Sequence, residues 1–355
     1  MERNPTGGIF CPLQSRRMVD ANLHQIRVFL KLENLQPSGS FKSRGIGNIV
    51  RQSLLTHPNP ETTHFYSSSG GNAGLACVTA AQSLGRPATV VVPTSTTSLM
   101  IARIKTAGAQ EVLQHGDSWR EADEYLREVV MPAGRARGED AVYVPPFDHK
   151  DVWDGNATLI EELYEQPDAI VCSVGGGGLF SGVQLGLERR RWDDTQVIAV
   201  ETEGAASLAR SLEAGKLTTL NEITSIATSL GAKEVAPKAF ELAQRPNVRS
   251  MVLSEAEAAM GCWRLADDER TIVEPACGVN VALCYDGRLK RSMPWLTKES
   301  KVVIILCGGS NITLETLLEY KCVYGDVEKH LPRTDDIPSN VTGSTKILKV
   351  GLAVA

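Results

Sequence analysis

The chain has 355 residues, 42% of them hydrophobic, and 37 Lys and Arg against 42 Asp and Glu leave a net charge of −5. That length favours two lobes over one, and the acidic balance speaks against a nucleic-acid surface, which needs a basic patch. No apolar run approaches the roughly 18 residues of a membrane span. The first stretch, MERNPTGGIFCPLQSRR, lacks the apolar core of a secretion signal, so a cytoplasmic protein is expected.

The predicted elements alternate between strand and helix. Residues 26–33 (IRVFLKLE) read as a strand, and a turn at 36–39 leads to Ser40 as N-cap of a helix over about 41–55. Residues 62–67 are a short strand, and 72–84 are a helix stopped by Gly85. The buried run ATVVV at 88–92 ends at Pro93. A helix at 98–107, a short strand at 110–114 and a helix over 118–131 follow. The turn-rich stretch 133–150 is the expected crossing between lobes.

The pattern then repeats. AIVCSV (169–174) runs into four glycines and a helix, VIAVE (197–201) into Thr202-Glu203-Gly204, and KVVIILC (301–307) into Gly308-Gly309-Ser310-Asn311. Continuous apolar strands followed by helices predict α/β architecture with parallel sheets covered on both faces. Ligands in such sheets sit at the carboxyl ends of the strands, where these Gly- and Ser-rich stretches fall. Beyond about residue 325 the character changes, and the tail is expected to be loop with a short strand.

The eight cysteines are scattered with no C-x-x-C pair, as expected of reduced thiols. Six scattered histidines without H-E-x-x-H give no zinc site. The sequons at Asn156, Asn311 and Asn340 read as chance.

Four segments carry chemistry. Gly175, Gly176, Gly177 and Gly178 remove every Cβ from a strand-to-helix turn, so backbone N–H groups can converge on an anion beside a helix N-terminus. No Gly-Lys-Ser/Thr follows, and the register does not fit G-x-G-x-x-G, so a phosphate without a magnesium or dinucleotide signature is expected. Packing of a tight turn is the competing explanation. Lys42 lies near a helix start, where the dipole disfavours an ammonium. Desolvation would free the neutral amine that attacks an aldehyde. Taken alone, it is a solvated lysine. Phe41 beside it suits a flat ring or ordinary core. Ser67-Ser68-Ser69-Gly70-Gly71-Asn72 offers hydroxyls and free N–H groups to a carboxylate, or merely caps a helix. Cys307 ends a buried strand, where a cysteine is usually a small hydrophobe.

In these segments the chain resembles the serine/threonine dehydratases of the fold-type II (tryptophan synthase β-like) pyridoxal 5′-phosphate (PLP) enzymes, and within them the eukaryotic L-serine dehydratases. LKLENLQPSGSFKSRG (30–45), SSSGGNAG (67–74), SVGGGGLFSG (173–182), EPACG (274–278) and CGGSNI (307–312) occur in that family's order, over about residues 25–320. The resemblance implies a homodimer with a large cofactor domain (1–36 and 145–330), a small substrate-loop domain (37–144) and an extension (331–355).

It further implies that Lys42 carries PLP as a Schiff base and that Phe41 stacks on the ring. Asn72 would bond the ring O3′, and Gly175, Gly176, Gly177, Gly178 and Leu179 would hold the phosphate. Cys307 would face the pyridine nitrogen. Ser68, Ser69, Gly70, Gly71 and Asn72 would grip the substrate carboxylate. Glu201, Ala205 and Ser207 would bind a monovalent cation, with K+ the implied ion. The freed Lys42 amine would act as general base, and Ser69 or the cofactor's phosphate would protonate the departing hydroxyl. L-serine, and L-threonine beside it, would yield pyruvate or 2-oxobutanoate and ammonia. The alternatives are β-replacement or racemisation of a small amino acid, and, outside PLP chemistry, a non-catalytic metabolite-binding protein or a nicotinamide oxidoreductase. Cys11-Pro12-Leu13, where the family has Thr-Pro-Leu, and a shortened stretch before the lysine strand depart from the pattern.

Overall fold

The computed structural model describes residues 13–16, 26–285, 287–327 and 347–348. Cys11-Pro12 and all of the expected extension 331–355 except 347–348 lie outside the described residues. The strands are β1 (Leu13–Arg16), β2 (Arg27–Lys31), β3 (Thr63–Ser67), β4 (Ala88–Val92), β5 (Glu111–Gln114) and β6 (Asp140–Tyr143), then β7 (Ala169–Ser173), β8 (Gln196–Thr202), β9 (Val248–Leu253), β10 (Lys301–Ile305) and β11 (Ile347–Leu348).

They form two sheets. The larger has the order β1-β2-β10-β7-β8-β9-β11, the smaller β5-β4-β3-β6. The small sheet is parallel throughout. The large one is parallel from β2 to β9 and antiparallel at its two outer strands. Both are flanked by helices. Strands β4 and β7 are buried along their whole length, and β10 at all but its first residue, as expected of strands covered on both faces.

The elements expected from the sequence are present within a residue or two, with three differences. Ser40 does not cap the first long helix, Lys42–Thr56. It is drawn instead into a backbone bridge with Gly308, and Phe41 N–H donates to the Cys307 carbonyl at 3.1 Å. The 118–131 helix continues to Ala136 through a π turn at Leu126–Val130. The expected crossing 133–150 contains β6, which pairs with β3, so the chain passes from the small sheet to the large one only after Tyr143.

Three helices then lock together across the sheets. Lys150–Glu161 lies between Lys42–Thr56 on one side and Gly178–Arg190 on the other. Both contacts depend on a missing side chain. A Cβ on Gly155 would sit 2.4 Å from the Arg44 carbonyl, and one on Gly182 would sit 2.3 Å from the Asn156 side chain. The helix bearing Lys42 and the helix that follows the glycine turn are therefore both packed on one rod.

A buried charge cluster pins this assembly. Arg44 is fully enclosed, and its guanidinium donates to Glu33 at 2.6 and 2.9 Å and to Glu162 at 2.7 Å through two nitrogens. Lys31 also pairs with Glu162, and Thr158 Oγ1 accepts from Arg44 at 2.9 Å. Breaking such a set leaves charges without partners in a low dielectric, which costs far more than the intact set contributes. Arg44→Met is expected to lower stability by about 3–5 kcal/mol, read as a reduced urea midpoint with an unchanged denaturant slope.

Candidate active site

Four loops meet where the strands of both sheets end. Three leave β7, β10 and β3, and the fourth is the segment 144–149 that follows β6. The chain segment before Lys42 is stitched to the loop after β10. Gly309 N–H donates to Gly39 O at 3.0 Å, beside the Ser40–Gly308 bridge. Lys42 and Cys307 are thus held close enough for their charges to interact.

Lys42 is half-buried. Its Nζ donates to the Pro146 carbonyl at 2.5 Å and lies 5.4 Å from the centre of the Phe41 ring. Desolvation lowers its pKa to about 8 against the countervailing pull of Cys307. At neutral pH this raises the neutral-amine fraction by roughly two orders of magnitude over an ordinary lysine.

The glycine turn serves packing as well as exposure. A Cβ on Gly176 would enter the Phe147 ring at 2.4 Å, and one on Gly175 would meet the Leu230 backbone at 2.9 Å. Gly177 also has φ +89°, which glycine adopts without strain. The result is a turn with no side chain over its N–H groups. Those of Gly175, Gly176, Gly177, Gly178 and Leu179 make no hydrogen bond among the described residues. Five unpaired donors at the start of Gly178–Arg190 form a fitting anion cradle. Asn156 Nδ2 buttresses it from behind, donating to Gly178 O at 2.9 Å, so this sequon residue is buried.

The loop after β3 is a second cradle. The N–H groups of Ser69, Gly70, Asn72 and Ala73 likewise make no hydrogen bond among the described residues, at the start of helix Asn72–Ser83. Gly71 N–H turns back to Ser69 Oγ at 3.3 Å. Ser68 is turned inward. Its hydroxyl donates to Asp123 Oδ1 at 2.7 Å, and Tyr143 OH donates to the same oxygen at 2.6 Å. Asp123 therefore ties this loop to the strand that leads into Pro146.

Asn72 joins the sheets. Its Oδ1 accepts from Ser310 N–H at 2.9 Å, and its Nδ2 donates to Glu274 Oε1 at 3.0 Å and Oε2 at 3.2 Å. Glu274 is buried and also accepts from Asn311 N–H at 2.6 Å and from Ser229 Oγ. Cys307 is 6% exposed, with Ser173 Oγ at 3.5 Å and Asn280 Nδ2 at 3.6 Å from its sulfur. Pairing with Cys277 holds its thiol below the usual range, although burial opposes this.

Glu201 stands apart from these loops, at the end of β8. Its carboxylate accepts from Leu208 N–H and Ala209 N–H, both at 2.8 Å. Burial pushes its pKa up to about 8. Ala205 and Ser207 follow within one turn and are buried, and Ser207 Oγ has no partner.

The structure links Lys42, Phe41 and Cys307 through the loop after β10, the glycine turn through Phe147 and Asn72 through Ser310, with Ser69 on the same loop as Asn72. The contacts of Glu274, Asp123, Asn280 and Pro146 with these segments were not foreseen. Glu274 had a signal in the block EPACG, since a carboxylate directly before a helix-initiating proline stands at an N-terminus.

The model of the family described as pyridoxal-phosphate dependent enzyme matches residues 11–308. An L-serine dehydratase of Saccharomyces cerevisiae is 43% identical over 307 residues, 82% of this chain and 90% of the relative. A human serine dehydratase-like protein is 44% identical over 310 residues, 84% of this chain and 90% of the relative. The crystal structure of a fungal L-serine ammonia-lyase from Rhizomucor miehei superposes with TM-score 0.82 at 36% identity, over 89% of this chain and 99% of that one.

The lowered Lys42 amine gives a direct test. Reductive methylation of the full chain, mapped by mass spectrometry, is expected to label Lys42 with a pH midpoint near 8.

Proposed function

The chain belongs to the pyridoxal-phosphate dependent enzyme family, and from that premise we propose that it is an L-serine ammonia-lyase, with L-threonine as a second substrate. The products are pyruvate or 2-oxobutanoate, and ammonia. The observation that carries the reading is the meeting of a desolvated lysine with two cradles of unpaired N–H groups. One cradle suits the cofactor's phosphate, the other a substrate carboxylate. The named relatives support the choice of serine.

In this reading the N–H groups of Gly175, Gly176, Gly177, Gly178 and Leu179 hold the phosphate, Phe41 covers one ring face, Asn72 meets the ring oxygen and Cys307 the ring nitrogen. Lys42 is the point of attachment. Bound there, PLP supplies the electron sink for the bonds around the substrate α-carbon.

The protein's own residues do the rest. Ser69, Gly70, Gly71 and Asn72 orient the carboxylate, and Ser68 contributes by anchoring that loop to Asp123. Lys42 Nζ, close to neutral at working pH, takes the α-proton. The departing β-hydroxyl receives a proton from Ser69 Oγ or the cofactor's phosphate and leaves as water, and the proton taken up by Lys42 makes good that loss. Residues 37–144 serve as the substrate lobe, because the carboxylate loop belongs to the small sheet.

Three further assignments belong to the same proposal. Glu201, Ala205 and Ser207 bind K+, supported by a buried carboxylate beside an unpartnered hydroxyl. The protein is cytoplasmic, supported by seven free cysteines among the described residues. It is a homodimer, for which the exposed Leu314, Leu318 and Val323 supply apolar surface. Among the described residues no helix is long and apolar enough to cross a membrane.

Purified protein supplied with PLP is expected to release pyruvate from L-serine. Lys42→Ala should lower the rate by about 10²–10⁴-fold and abolish borohydride fixation of the cofactor to the chain. Absence of any 2-oxo acid from serine and threonine overturns the substrate. A borohydride label on another lysine overturns the site. Replacing K+ by choline is expected to reduce turnover, and Glu201→Gln should make turnover insensitive to that exchange.

A further inference from the structure

The sulfur of Cys307 lies within a ring of polar groups drawn from separate elements, of which the Asn280 amide is a fixed donor. Ser173 ends β7, and Asn280 sits inside the helix Pro275–Ala282, with no exposed surface. Asn280 Nδ2 is 3.6 Å from the Cys307 sulfur, 3.5 Å from Ser173 Oγ and 3.1 Å from the Ile305 carbonyl oxygen. Cys277, one turn earlier on the same helix, pairs with Cys307 through its thiol.

An amide at this position is costly. Its neighbours on the helix are Val279 and Val281, both fully buried, and its own Oδ1 has no partner. An apolar residue would avoid that desolvation. The amide's orientation is nevertheless fixed. Reversing it would set Oδ1 against the Ile305 carbonyl, acceptor against acceptor. One N–H therefore serves Ile305, and the other serves the Ser173 oxygen and the Cys307 sulfur. Ser173 Oγ lies 3.5 Å from the sulfur, where either atom can donate, and the Cys307 thiol itself reaches the Ile305 carbonyl at 3.6 Å when it carries a proton.

We infer that Asn280 is a positioning residue for the reaction: with Ser173 and Cys277 it holds the Cys307 sulfur as a hydrogen-bond acceptor toward the cofactor's ring nitrogen. This rests on the proposed placement of PLP. It makes the ring's partner stronger than a free thiol and weaker than a carboxylate. Asn280 thereby sets how strongly the bound cofactor withdraws electrons. The other groups around the sulfur are compatible with that role. Burial pushes the Cys277 thiol well up, which keeps it a donor. Lys42 attracts negative charge on the sulfur, while Glu33 and the buried Cys172 oppose it.

The test uses the full chain freed of cofactor. Methyl methanethiosulfonate reacts with thiolates, and mass mapping follows Cys307 labelling against pH, with the exposed Cys322 as internal reference. Asn280→Leu, close in volume, is expected to raise the Cys307 midpoint by about one pH unit and to slow its labelling at neutral pH about 10-fold. Ser173→Ala should shift it the same way by less. Once loaded, Asn280→Leu should bind PLP and show a displaced pH dependence of its visible absorbance. An unchanged midpoint in a folded Asn280→Leu, judged by its melting temperature, overturns the inference. If that variant does not fold, Ser173→Ala decides: a raised midpoint supports the donor ring and an unchanged one overturns it. Labelling needs no turnover, so failure of serine as a substrate would leave this result standing and overturn only the function.

Discussion

The guanidinium of Arg44 is the constraint from which the site's geometry follows. It is buried two residues after Lys42, between Glu33, which follows β2, and Glu162, which follows the rod Lys150–Glu161. One planar group thus fixes the lysine's helix against both the large sheet and that rod. Arginine suits the place because its fork donates to two carboxylates at once and stays charged. A lysine would offer a single nitrogen and would tend to neutralise under the same desolvation. Burying the quartet does not make it a net source of stability. What it supplies is a unique arrangement, since any shift of the helix would strand a carboxylate.

The glycine contacts complete what the charges begin. Gly155 lets the rod approach the backbone at Arg44, and Gly182 lets the helix after the glycine turn approach the rod's opposite face. Added methyl groups would meet backbone or close-packed side chains that have little room to yield. The same logic explains the glycine quartet. Its residues are small because Phe147 and Leu230 press on the turn, and its N–H groups are free because nothing can be placed over them. The packing that excludes a Cβ is also what leaves the donors of this turn open.

Legibility of the fold followed burial. Strands β4, β7 and β10 were readable because a strand covered on both faces is a continuous apolar run. Strand β6 was not, because DAVY is only half-buried and lies between Gly138-Glu139 and a Pro-Pro pair. Strand β9 has Arg249 and Ser250 in its middle, which break the apolar run. The π turn at Leu126–Val130 leaves no compositional trace. Within the site, segments with unusual local composition were legible: three serines, four glycines, Gly-Gly-Ser-Asn. Glu274 and Asp123 were not, because each is a single carboxylate whose meaning comes from partners far away in the chain. Asp123 meets Ser68 across 55 residues, and Glu274 meets Asn72 across 202.

That last pairing bears on how the two sheets cooperate. An asparagine amide presents either an acceptor or a donor, and its direction is set by its neighbours. Ser310 N–H takes the Asn72 oxygen, and Glu274 and Ser229 Oγ both accept from its nitrogen. Asn72 is thereby committed to turning its nitrogen toward Glu274 and Ser229 and its oxygen toward Ser310. Glu274 and Ser310 belong to the large sheet's loops, whereas Asn72 begins a helix packed on the small sheet. The ring-oxygen donor of the proposed site is therefore oriented from across the seam between the sheets. A relative shift of the sheets would release both bonds on the amide together, and the donor's direction is as precise as the seam is tight.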